Sequence, residues 1–190
     1  MSLPISDHSI QFDIARSEDD LFQILFLQKL NLKNEISDET KKEQGFLTVS
    51  HSIEELMLMH QSTPQIVAKK DGKVVGYALA MLPDLGKLIA DLQPMFTILE
   101  NLQWNSKNLN QLKYYVMGQI CVDANSRGLG VFDQLYQKHK EVYSTEYELC
   151  VTEISTSNSR SQRAHERVGF ETIHRHLDHV DEWNVVAWKF

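Results

Sequence analysis

The chain has 190 residues, 42% of them hydrophobic and 24% charged, a balance that fits a single domain over residues 1–190 with a full-sized core. Its formal net charge of −7 argues against a nucleic-acid partner and would mildly attract a cationic amine. No apolar run reaches membrane-spanning length, and Met1-Ser2-Leu3-Pro4 has neither the basic start nor the apolar block of a signal peptide, so a cytoplasmic protein with no membrane partner is expected.

In chain order, Ile10, Phe12 and Ile14 alternate with polar neighbours and predict a first strand. Ser17 followed by Glu18, Asp19 and Asp20 is a helix start, with a capping hydroxyl and acids in the first turn. Leu21, Ile24, Leu25, Gln28 and Leu32 trace one face of that helix. Residues 38–44 form a short polar helix or loop ended by Gly45, with Phe46-Leu47-Thr48-Val49 after it. Ser52 and Glu55 have the spacing of a capping box for a second helix. Residues 66–69 and 74–82 read as a hairpin, because Asp71-Gly72 supplies the positive φ that tight turns demand.

Residues 83–113 separate this hairpin from the next strand by far more than a usual loop of about 4–6 residues. Leu88, Ile89, Leu92, Met95, Phe96, Leu99 and Leu102 recur at helical spacing, and Pro94 is expected to bend or divide the helix. The segment reads as a helical insertion near an acceptor site; packing or a homodimer contact are alternative uses. Tyr115 opens an apolar strand ending at Val122. The two cysteines, Cys121 and Cys150, each lie in an apolar run, as small core residues of a reducing compartment do.

The stretch Cys121-Val122-Asp123-Ala124-Asn125-Ser126-Arg127-Gly128-Leu129-Gly130-Val131-Phe132 joins that strand to a helix marked by Val131, Leu135, Tyr136, His139 and Val142. Two glycines allow a tight turn, and the unpaired N–H groups of the following helix point into it, which makes a site for an anion such as a pyrophosphate. The dinucleotide fingerprint is excluded, since its third glycine would fall at Asp133; the triphosphate loop is excluded because no Gly-Lys-Ser/Thr is present. Beyond the turn come a strand over 147–154, a polar turn, a helix over 160–167 ended by Gly169, and a closing strand pair over 170–177 and 183–190.

Arg127 and Gly130, with Gly128 between them and Leu135 in the helix, resemble the coenzyme A signature of the GNAT acetyltransferase superfamily. Phe132 departs from it, standing where Gly or Ala is usual. A second motif agrees: Asn158, Ser161, Gly169 and Phe170 match, while His165 occupies the place of a tyrosine. The resemblance covers the C-terminal half and reaches back through the Asp71-Gly72 hairpin. It implies an α+β fold of α/β/α type, a mixed and mostly antiparallel sheet of about seven strands flanked by helices. It also implies an acetyl-CoA-dependent N-acetyltransferase acting directly on an amine of a small molecule or peptide.

By the same resemblance Ile120, Cys121, Val122, Arg127, Gly128, Leu129, Gly130, Val131, Phe132, Asn158 and Ser161 would bind the coenzyme, with an oxyanion donor among the backbone N–H groups of 120–122. His165, with an ordinary pKa near 6.5, would protonate the departing thiolate, and Glu153 would accept the amine proton through water. Arg160 and Arg163 could assist with phosphates. The changes at 132 and 165 motivate an alternative, a non-catalytic acyl-CoA-binding sensor or regulatory module. His174, His176, His179 and Asp178 invite a metal reading, but without a further ligand cluster no metal is expected.

Overall fold

A computed structural model describes residues 9–86, 89 and 92–190. Strand β1 is Gln11–Ile14, and helices α1, α2 and α3 are Glu18–Lys29, Asp38–Gln44 and Ile53–Ser62. Ser17 and Ser52 cap as their spacing predicts: Ser17 accepts from the Asp20 amide, and the capping box of Ser52 and Glu55 is complete. Strands β2 (Ile66–Lys70) and β3 (Lys73–Met81) follow. Asp71 and Gly72 take φ of 51° and 77° in the turn between them. Two positive φ values in succession match the right-handed twist of the flanking strands.

The segment over 83–113 is helical only in part. Helix α4 is Pro83–Gly86 and α5 is Gln93–Leu99. Pro94 neither bends nor divides α5; it lies in the first turn, where its missing N–H has no intrahelical partner to lose. Leu88 lies outside the described residues, and Leu102 falls past the helix end. A small hairpin of β4 (Gln103–Trp104) and β5 (Lys107–Asn108) comes next, turning at Asn105 and Ser106, both at positive φ. Gly86 lets α4 sit on α5: a Cβ there would lie 1.9 Å from the Phe96 ring.

Strand β6 is Tyr114–Val122, α6 is Val131–Tyr143, β7 is Leu149–Ser155, α7 is Ser159–Val168, β8 is Glu171–Leu177 and β9 is Glu182–Lys189. Seven strands form one sheet in the order β1-β2-β3-β6-β7-β9-β8. Only β6 and β7 run parallel; every other neighbouring pair is antiparallel. The fold is therefore the mixed, mostly antiparallel sheet expected.

The sheet alternates its residues between two cores, as the two-residue period requires. On one face Val67, Tyr77, Leu79 and Val151 pack with Leu21, Ile24 and Leu27 of α1, Leu56 and Met59 of α3, and Phe96 and Leu99 of α5. On the other, Ile66, Ala78, Tyr115 and Cys150 pack with Leu135, Tyr136 and Tyr143 of α6. Fully burying a side chain such as Leu135 or Ile24 stabilises by about 1.5–3 kcal/mol.

Two irregularities of β6 set up the site. Leu79 pairs with Gln119 but Ala80 with Met117, so Gly118 is the extra residue of a bulge. The bulge therefore lies upstream of residues 120–122. More consequential, β6 and β7 pair only at Tyr114↔Leu149, Tyr115↔Cys150 and Val116↔Val151. Beyond Val116 the strands part, although β6 continues to Val122 and β7 to Ser155.

Candidate active site

Where β6 and β7 part, the sheet opens a wedge at the C-terminal end of its two parallel strands, the usual place for a ligand in such sheets. A cavity of about 590 Å³ occupies the region between the glycine turn, the start of α7 and residues 44–47. A smaller one of about 80 Å³ continues between the parted strands, roofed by residues 46–49.

The turn is built by short-range bonds. The Asp123 side chain accepts from the Asn125 amide at 3.0 Å, and Gly128 and Gly130 take φ of 77° and 76°. A Cβ at either glycine would meet no atom within 4 Å, so their open side is reserved space and not a packing seam. Gly130 caps α6 without any side-chain bond to its first amides. Those amides and the positive end of the helix dipole are available to an anion. Asp133 in the first turn would oppose one, but Arg167 neutralises it with Nη2 at 2.9 Å from Oδ1.

Nine further predicted coenzyme residues, Ile120, Cys121, Val122, Arg127, Gly128, Val131, Phe132, Asn158 and Ser161, join Gly130 around this cavity, while Leu129 does not line it and is 62% exposed. Burial pushes the Cys121 thiol up to about 12, which makes it an inert wall residue. Phe132 does not fold shut over the turn. Its ring packs edge-on to His165 at 5.2 Å, tilts on Tyr136 at 5.2 Å, and carries the Arg167 guanidinium at 6.0 Å.

Arg127 is held by three bonds: Nε to the Val122 carbonyl at 3.0 Å, Nη1 to Gln44 Oε1 at 3.1 Å and Nη2 to Asn31 Oδ1 at 2.7 Å. Asn158 caps α7 and also donates from Nδ2 to the Phe46 carbonyl at 3.2 Å. Arg160 donates to the Glu43 carbonyl at 2.8 Å. Arg127, Arg160, Arg163 and Arg167 all line the cavity, so an acidic chain concentrates positive charge there. Arg167, Asn31, Gln44 and Gly45 carried no signal of this in the sequence; only the Gly45 helix stop was legible.

The two catalytic candidates sit differently. His165 is 2% exposed. Burial holds its pKa down to about 4, and its ring is boxed by Phe132, Tyr136 and Phe170. Nδ1 lies 2.8 Å from the Ser161 carbonyl and therefore carries the hydrogen. Nε2 is buried with no partner among the described residues. Glu153 on β7 lines the wedge, its side chain mostly buried. Burial raises its carboxyl, and the hydrogen bond from His176 opposes that rise; Nε2 of His176 is 2.5 Å from Oε1.

Gln119, also in the wedge, is committed to structure. Its Oε1 accepts from Gln28 Nε2 at 2.7 Å and the Tyr77 hydroxyl at 2.6 Å, and its Nε2 donates to the Val49 carbonyl at 2.8 Å. Gln28 in turn accepts from the His51 amide at 2.9 Å. This network fixes the roof to the sheet. Among the described residues no group of three or more His, Cys, Asp or Glu could hold a metal ion, and no helix is long and apolar enough to cross a membrane.

The acetyltransferase (GNAT) family model matches residues 28–170. A search of curated proteins by sequence finds no match. Solved structures share the fold at low identity. The chain superposes with a TM-score of 0.64 and 12% identity on a chain of the NatC complex bound to Gag peptide and CoA, covering 96% of this chain and 99% of that one. For the N-acetyltransferase from Staphylococcus aureus Mu50 the values are 0.60 and 19%, with 95% and 98% covered. For the ribosomal-protein-S18-alanine N-acetyltransferase from Escherichia coli they are 0.62 and 11%, with 95% and 94% covered. With that family model spanning both the glycine turn and the Asn158 motif, this chain belongs to the acetyltransferase (GNAT) family.

Proposed function

We propose that this protein is an N-acetyltransferase that moves the acetyl group of acetyl-CoA directly to a primary amine. The observation that carries the reading is the parting of β6 and β7 beyond Val116 and Val151. It creates a slot in which an extended thiol arm can replace the missing strand. The slot runs from the glycine turn, with its open cradle at Gly128 and Gly130, to the carboxylate of Glu153. A volume of about 590 Å³ is of the size that takes a whole small ligand.

In this reading the amides of Val131 and its neighbours and the cavity arginines hold the diphosphate. Backbone N–H groups of β6 facing the gap polarise the thioester carbonyl and stabilise the oxyanion, an effect commonly worth about 3 kcal/mol per donor. The amine arrives as an ammonium with no lone pair to offer. Glu153 takes its proton, the nitrogen attacks, the carbon–sulfur bond breaks, the newly acylated nitrogen gives up its second proton to water, and the coenzyme leaves as a thiol after gaining a proton.

His165 is not the acid of this mechanism. A neutral imidazole whose only hydrogen is held by the Ser161 carbonyl has none to give at Nε2. A thiolate with an ordinary pKa near 8.5 departs without a dedicated acid, and Glu153 can return the proton it received. His165 instead fills the wall between α6 and α7.

The same feature gives a second reading from another class, an acyl-CoA sensor that binds and does not turn over: the position that would supply a proton holds a boxed imidazole. Thiol release from acetyl-CoA in the presence of free-amino peptides, polyamines and small primary amines separates the two. The enzyme reading expects amine-dependent release. Stoichiometric binding with no release above the rate without protein would leave the sensor.

A further inference from the structure

We propose that His176 is a positioning residue for the reaction: it holds the carboxylate of Glu153 at the mouth of the gap between β6 and β7, so that Oε2 stays free to take the proton of the acceptor amine. This rests on the reading of Glu153 as the base. The two residues are on strands that are not neighbours; β9 lies between them. Glu153 stands opposite Val185, whose other neighbour is His174, while His176 stands opposite Trp183 in the next row. His176 therefore reaches diagonally across Val185 to bring Nε2 to 2.5 Å from Oε1.

Both side chains are nearly closed to solvent, at 10% and 13% exposure. A hydrogen bond so placed is not an incidental surface contact. Nδ1 of His176 is buried with no partner among the described residues. An ionised carboxylate oxygen can only accept, so the ring nitrogen that faces it, Nε2, carries a hydrogen and donates it to Glu153. His174 stacks on the His176 ring at 6.1 Å and 16°, which fixes its plane. The assembly spends one carboxylate oxygen on orientation and leaves the other to chemistry, as an outer partner does for a functional group.

The surroundings make this bond matter. The gap is lined from β6 by Met117, Gly118, Gln119 and Ile120, and from the roof by residues 46–49, none of them charged. From α7 the titratable group is His165, held neutral by burial. From the β8–β9 turn, Asp178 disfavours a second negative charge at Glu153, and farther out Asp181 is engaged by Ser155 and Lys33. His176 is thus the donor that favours the ionised form of Glu153 against burial and Asp178.

The test uses the intact protein and two readouts. One is the titration of the Glu153 side-chain carboxyl by carbon NMR, which needs no acceptor. The other is thiol release from acetyl-CoA with the amine panel above, followed across pH. His176→Phe is expected to move the Glu153 titration upward, to move the acid limb of kcat the same way, and to lower kcat roughly tenfold with KM for acetyl-CoA unchanged. His176→Gln, which returns an N–H donor, is expected to restore most of both. A His176→Phe protein with the wild-type Glu153 titration overturns the proposal, whether its kcat is normal or uniformly low at every pH. If Glu153→Gln keeps wild-type turnover, or no amine supports any turnover, the base reading falls and this proposal with it. If Glu153→Gln is inactive while His176→Phe moves nothing, this proposal alone falls.

Discussion

Asn158 joins two parts of the chain 112 residues apart: its Nδ2 donates to the Phe46 carbonyl at 3.2 Å while its Oδ1 accepts from the Ser161 amide at 3.1 Å. One side chain starts α7 and pins the roof of the cavity. Asn158→Ala removes a cap worth about 1 kcal/mol and a hydrogen bond of similar worth. The expected loss of about 2 kcal/mol lowers Tm by roughly 4–8 °C for a domain of this size. A thermal melt checks it; an unchanged Tm would show that the roof is held by other contacts.

Gly130→Asp tests the turn. The backbone there has φ of 76°, which costs a non-glycine residue about 1–2 kcal/mol. A Cβ meets nothing within 4 Å, so the folded protein has room for it. The added carboxylate faces the space assigned to the diphosphate, and the expected result is a weakening of acetyl-CoA binding by more than about tenfold with the melt lowered only modestly. Unchanged affinity by calorimetry would contradict the assignment.

Gln119→Leu strips the hub that ties Gln28, Tyr77 and Val49 together. Two buried groups, on Gln28 and Tyr77, lose partners at a cost of about 1–3 kcal/mol each, and the part-buried Val49 carbonyl loses its donor. We expect severe destabilisation, read as a large drop in the urea midpoint. Gln119→Glu keeps the acceptor oxygen but loses the donor to Val49, and is expected to lie between Gln119→Leu and wild type.

Two buried histidines set the response to mild acid. His139, between the Tyr115 hydroxyl and the Ala78 carbonyl, and His165 are both pushed down to about 4 by burial. Their folded pKa values lie below the unfolded value near 6.5, so the unfolded chain binds protons first as pH falls. Their stabilising contribution is complete above about pH 6.5 and is lost on descent toward pH 4, by about 2 kcal/mol for each between pH 7 and pH 5. Urea titrations at the two pH values check this. His139→Phe is expected to reduce the loss by about half, and an equal loss in that variant would contradict the assignment.

What could be read in the sequence was local. Asp71-Gly72, the Ser52/Glu55 box and the helical period of α6 each leave a mark within a few residues, and each element is where those marks put it. The Asn105-Ser106 hairpin went unread because neither residue is the glycine that announces such a turn. The bulge at Gly118, the Gln28–Gln119–Tyr77 network and the grip of Asn31 and Gln44 on Arg127 join residues far apart in the chain, and no local pattern encodes them. His165 matched a motif position by spacing alone; of the rings that surround it, Phe132 and Tyr136 come from another helix and Phe170 from just past the end of its own. His176 was legible only as one histidine among three, and its partner is on a strand two places away.

Titration calorimetry of acetyl-CoA into the intact protein tests the central claim most directly, because it asks only whether the glycine turn and the opened strands receive the coenzyme. Saturable binding at one site per chain, weakened in Gly130→Asp, is the expected result. Absence of any binding heat and of any thermal stabilisation at millimolar acetyl-CoA would contradict it.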